Sequence, residues 1–116
     1  MRPELFVGLD RVVVHGGAEV TLTVACPDFA VDRLEISSLT CSAFEVVSLK
    51  LGDVSLLEGE QAVRGETFRP GNEARFNRLR FQRQSFAGAD VITLVVRNCR
   101  ASSFELSGTL YGLPNP

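Results

Sequence analysis

Hydrophobic and polar residues alternate with a period of two along nearly the whole chain. Val20, Leu22 and Val24 are separated by Thr21 and Thr23, the pattern of a half-buried strand with β-branched residues on both faces. Leu34 and Ile36 alternate with Arg33, Glu35 and Ser37, and Leu79 and Phe81 with Arg78, Arg80 and Gln82. Phe104, Leu106, Gly108 and Leu110 alternate with Glu105, Ser107, Thr109 and Tyr111. Between Phe44 and Leu51 the phase slips at Val46 and Val47, which predicts a bulge or burial on both faces. Residues 91–96 are almost continuously apolar and read as a central strand buried on both sides. No stretch repeats apolar residues at helical spacing; at most one helical turn fits near 58–63.

Turn signals punctuate these runs at Gly16-Gly17, Pro27-Asp28, Gly52-Asp53, Gly59, Arg69-Pro70-Gly71-Asn72, Gly88 and Arg100-Ala101-Ser102. After a leading segment at 5–14, strands are expected at 19–25, 32–37, 43–51, 54–57, 62–68, 75–82, 90–97 and 103–111. Eight short strands at this spacing predict an all-β fold, an antiparallel eight-stranded β-sandwich of jelly-roll type. The chain reads as one domain over 1–116, with 1–17 as an N-terminal arm or extra strand. Its expected core is Leu22, Val24, Ile36, Leu79, Phe81, Leu94, Val96, Phe104 and Leu106.

Composition adds limits. With 116 residues, 45% hydrophobic and 22% charged, the chain can bury a core without staples and is neither disordered nor collagen-like. No apolar run reaches the ~18 to 20 residues of a membrane-spanning helix. The net charge of −2 is unevenly spread. Residues 1–63 hold four basic and ten acidic side chains, whereas residues 64–83 hold six arginines against Glu66 and Glu73. Such a polarised chain can meet a copy of itself with opposite potentials facing. Residues 1–6 lack the long apolar region of a signal peptide, so cytoplasmic synthesis is expected.

The inventory for catalysis is thin. His15 is the sole histidine, and no GxSxG nucleophile elbow accompanies His15-Gly16-Gly17, which reads as a hairpin turn. Cys26, Cys41 and Cys99 form no CxxC and none has a histidine at ligand spacing, so no zinc site is nominated. The favoured reading is three buried free thiols at strand ends; one bridge with one thiol left over is the alternative. Glu58 and Glu60 flank Gly59 in a turn and read as solvated charge rather than an acid/base pair. No catalytic, metal-ligating or cofactor-binding residue is nominated, and an enzyme is not expected.

Arginine and phenylalanine interleave from 75 to 83, the composition of a single-stranded nucleic-acid groove. Period two separates Phe81 and Leu79 from Arg78 and Arg80, however, which favours a core face backed by an Arg surface. Nucleic acid is therefore an unlikely partner on this reading, and Arg78 and Arg80 become candidates for ion pairs between subunits. Tyr111 is the aromatic residue whose phase points away from the core, which makes it the third candidate interface residue.

The closing stretch is Ala89-Asp90-Val91-Ile92-Thr93-Leu94-Val95-Val96-Arg97-Asn98-Cys99, then Ser103-Phe104-Glu105-Leu106-Ser107-Gly108-Thr109-Leu110-Tyr111-Gly112. Read as a hairpin, it resembles the ends of small jelly-roll proteins of viral and bacteriophage particles, in which an apolar strand, an Arg-Asn corner and an aromatic-Gly strand end follow one another. The resemblance covers the layout of 18–112 and implies a capsid or virion subunit that packs against copies of itself or other shell proteins. It implies no functional residue, and a virion location goes with it. The alternative is a β-sandwich module that binds a ligand or carbohydrate through Tyr111.

Overall fold

Among the described residues the alternating stretches form strands. The computed structural model describes residues 5–25, 29–52, 54–55, 57, 61–71 and 91–114. Along them run β1 (Leu5–Gly8), β2 (Val12–Val14), β3 (Glu19–Ala25), β4 (Phe29–Ile36) and β5 (Phe44–Leu51). There follow β6 (Val54–Ser55), β7 (Val63–Arg64), β8 (Val91–Asn98), β9 (Phe104–Leu106) and β10 (Gly108–Pro114). Short 3-10 turns occupy Cys41–Ala43 and Gly65–Phe68, and there is no α-helix among the described residues. None of their helical turns is long and apolar enough to cross a membrane. The protein is all-β.

Every strand pairing among the described residues is antiparallel. One sheet has the order β1-β10-β4 and a second the order β3-β8-β5-β6, with β7 also on β5; β2 pairs β9 as a short ribbon. Leu34, Ile36 and Leu110 from the first sheet, Val46, Leu49, Ile92, Leu94 and Val96 from the second, and Leu106 from the ribbon join one buried cluster. This shared core is what alternation predicts: each strand turns one side inward. Of the expected core, Ile36, Leu94, Val96 and Leu106 are buried, while Leu22, Val24 and Phe104 are only partly covered. Leu79 and Phe81, with the strand expected at 75–82, lie outside the described residues.

The phase slip in β5 is a bulge. Val46 pairs with Val96 and Ser48 with Val95, so Val47 is the extra residue, and Val46 and Leu49 both reach the core. Other expectations need correction. The strand expected at 62–68 is two residues long, because the chain turns into a 3-10 turn at Gly65–Phe68. Residues 91–96 are not buried on both sides. Ile92, Leu94 and Val96 point inward, but Val91 is exposed and Val95 half-buried, since no further layer among the described residues covers that face. The closing stretch is not a hairpin. β8 pairs with β3 and β5, whereas β9 pairs with β2 and β10 with β1 and β4, so the bend at 100–102 carries the chain between sheets. Cys41 is a buried free thiol as expected, but Cys99, just past the end of β8, is exposed.

His15-Gly16-Gly17 forms a turn closed by the Ala18 amide donating to the His15 carbonyl at 3.0 Å. Gly17 has φ +76°, and a Cβ on Gly16 would stand 2.1 Å from the Ala101 carbonyl oxygen, so both glycines are required. The turn is not a hairpin, since β2 and β3 pair with different strands.

Candidate functional site

Register sets the chemistry of the outer faces. On the β1-β10-β4 sheet, Phe6 lies opposite Tyr111, and Tyr111 opposite Arg33. β10 is the middle strand, so Tyr111 stands between its two neighbours. Its ring centroid is 6.1 Å from that of Phe6, and the Arg33 guanidinium carbon lies 4.3 Å from the ring centre, within cation–π range. Arg33 is also 3.5 Å from Glu35, two residues along β4 on the same face, and both side chains are largely covered. Phe6 is 69% exposed. The row is thus an aromatic and cationic ladder ending in a bare phenyl ring at the sheet edge.

A cleft of about 330 Å³ adjoins this row where β9 gives way to β10. Gly8, Arg11, Glu35, Ser37, Thr109 and Tyr111 are among its lining residues. Its polar lining is hydroxyls, one carboxylate and one guanidinium, groups suited to hydrogen bonding. Arg11 makes a loose, exposed ion pair with Glu105 at 3.8 Å.

The outer face of the β3-β8-β5 sheet is different. Arg97 lies between Glu19 and Glu45 in one cross-strand row, with contacts of 2.6 Å and 3.1 Å. The hydrogen bond to Glu19 and then its charge, with smaller help from Glu45, outweigh desolvation and hold the Arg97 pKa above its ordinary value. Next to it in sequence, Asn98 is fully buried and fully used. Its Nδ2 donates to the carbonyls of Val14 and Ser102 at 2.9 and 2.8 Å, and its Oδ1 accepts from the Arg100 amide at 2.8 Å. The Arg-Asn corner therefore fastens β2, β8 and the 100–102 bend together.

Of the residues proposed from sequence, Tyr111 is described and faces outward, half-buried. Arg78 and Arg80 lie outside the described residues, as do Glu58, Glu60 and Cys26. His15 is exposed, with Nδ1 3.2 Å from the Ser103 hydroxyl. No carboxylate orients this pair among the described residues, and no metal-holding group of three His, Cys, Asp or Glu occurs among them. Phe6, Arg33 and Glu35 were missed in the sequence because alternation marks their face but not which cross-strand row they share. Comparison with known proteins finds nothing similar: no family model, no curated protein and no solved structure matches the chain.

Proposed function

We propose that this chain is a jelly-roll structural subunit of a larger assembly, a capsid or virion protein of a virus or phage, with no catalytic role. One observation carries the reading, the strand order. Counting β1 with β2 and β9 with β10 as single interrupted strands, the sheets run first-eighth-third and second-seventh-fourth-fifth. Those neighbours make five of the six pairings of a jelly roll. By the same count β7 is the sixth strand, and it pairs with the fourth, β5, where a jelly roll pairs the third with the sixth. A fold hosts many functions, so the assembly role leans on surface chemistry as well. Phe6, Val13 and Leu39 are large apolar side chains left exposed, and the acidic and basic parts of the chain are complementary in sign.

On this reading Arg78 and Arg80 meet carboxylates of a neighbouring copy or another shell protein, and Tyr111 packs at a seam. The test is light scattering on the purified chain together with its presence in particles from its source. A defined oligomer or particle-bound chain that loosens on Arg78→Glu plus Arg80→Glu is the expected result; a stable monomer absent from particles would refute it. The cleft beside Tyr111 favours a second reading, a ligand- or carbohydrate-binding module. Against stacking on a sugar, Tyr111 already has Arg33 over its ring and Phe6 beside it. Retention on a glycan column that is lost on Tyr111→Ala would favour the module.

A further inference from the structure

We infer that β3 is a self-complementary edge, built to pair antiparallel with β3 of a second copy about a two-fold axis through Leu22. The inference rests on the assembly reading and names its partner and surface.

β3 ends the β3-β8-β5-β6 sheet, and no strand lies on its other side among the described residues. Its hydrogen-bond alternation follows from one contact. The Asn98 amide donates to the Ala18 carbonyl at 2.9 Å, so in the unbroken register Val20, Leu22 and Val24 exchange bonds with β8. Glu19, Thr21, Thr23 and Ala25 then turn their N–H and C=O groups to the open edge. Natural edges are blunted by proline, lysine, bulges or shortness. β3 is seven residues long, keeps its register with β8 throughout, and contains neither proline nor lysine.

Its sequence is symmetric. Val20-Thr21-Leu22-Thr23-Val24 reads the same in both directions. A two-fold axis at Leu22 sets Thr21 opposite Thr23 of the second copy, Val20 opposite Val24, and Leu22 opposite itself. The outward-turned groups of Thr21, Thr23, Glu19 and Ala25 become the hydrogen-bonded pairs of the new ladder. Glu19, the strand's one charge, falls opposite Ala25 rather than another carboxylate, and Arg97 already neutralises it at 2.6 Å. No like charges meet. Val20, Leu22 and Val24 face the core but are only partly covered, so the same pairing shields an apolar stripe that one copy leaves half open. A strand pair of this length, without help from loops, buries less than the ~1,200 to 2,000 Å² of a stable interface, so association is expected to depend on concentration.

The test is sedimentation velocity from low micromolar to millimolar protein on the full chain and two variants, with circular dichroism to confirm folding. Thr21→Lys plus Thr23→Lys sets like charges opposite each other twice and is expected to weaken dimerisation by about tenfold or more. Thr21→Glu plus Thr23→Lys sets opposite charges across both pairs and is expected to keep the dimer. On the unmodified chain, the Thr21 and Thr23 amides should exchange hydrogen more slowly as concentration rises. Oligomers indifferent to both variants, with no such protection, would overturn the β3 pairing and leave assembly standing. A wild-type chain monomeric throughout the range would overturn both the pairing and self-assembly.

Discussion

β8 and β10 are both middle strands, and they fill that place differently. β8 pairs along its whole length with β3 and β5, and its inward positions are Ile92, Leu94, Val96 and the buried Asn98. β10 follows a break at Ser107 that separates it from β9, and its register with β4 shifts between Tyr111 and Gly112. Its inward series Gly108, Leu110 and Gly112 is two-thirds glycine. A Cβ on Gly108 would stand 2.8 Å from the Glu35 carbonyl oxygen, so the backbone approaches β4 closely at the kink. The regular strand yields a plain outer face of Thr, Val and one shared arginine. The broken strand yields the cleft and the aromatic row. Irregularity here is where surface chemistry collects.

The comparison is tested hardest in the core. Leu94→Ala and Leu110→Ala each remove a fully buried side chain and should cost about 2 to 5 kcal/mol in urea unfolding. Leu94, packed between bulky inward neighbours, is expected to cost more; the reverse order would make the broken strand the main anchor. Asn98→Leu comes next, at about 2 to 3 kcal/mol, because three backbone groups lose their partner inside the fold. A neutral outcome would mean that water can replace the corner. The smallest effects belong to the two outer faces. Tyr111→Ser should cost about 0.5 to 1.5 kcal/mol and be insensitive to salt. Arg97→Met should lower the melting temperature slightly, and only at low ionic strength, because its ion pairs are exposed. As the folded-state pKa of Arg97 is raised, its contribution is complete below the ordinary arginine value and fades only as pH climbs past the raised one. A melting-temperature difference between wild type and variant that changes between about pH 6 and 9 would contradict this assignment.

Period-two patterning made faces legible and left partners unreadable. The inward phase of Leu34, Ile36, Leu94, Val96 and Leu106, and the bulge at Val47, follow from side-chain alternation alone. Which strand lies beside which does not, and the apparent closing hairpin divides between sheets because alternation is blind to the sheet a strand joins. Phe104 is only half-buried for a related reason. It faces inward on a three-residue strand whose partner among the described residues is β2. The outward phase of Tyr111 was legible, but its setting between Phe6 and Arg33 depends on two registers that meet only in the fold. Asn98 was visible as part of a corner; that its amide satisfies three backbone groups was not.

The order in which the strands emerge during synthesis has its own consequence. β10 is the partner of both β1 and β4, and β8 the partner of both β3 and β5, yet these two are among the last strands to be made. A nascent chain that has emerged as far as Gly71 holds β1, β3 and β4 without the strands they pair with among the described residues, and of the described pairings it has those of β5 with β6 and β7. A chain made from its N-terminus is therefore expected to carry unpaired apolar strands until its last quarter, with β8 and β10, is synthesised.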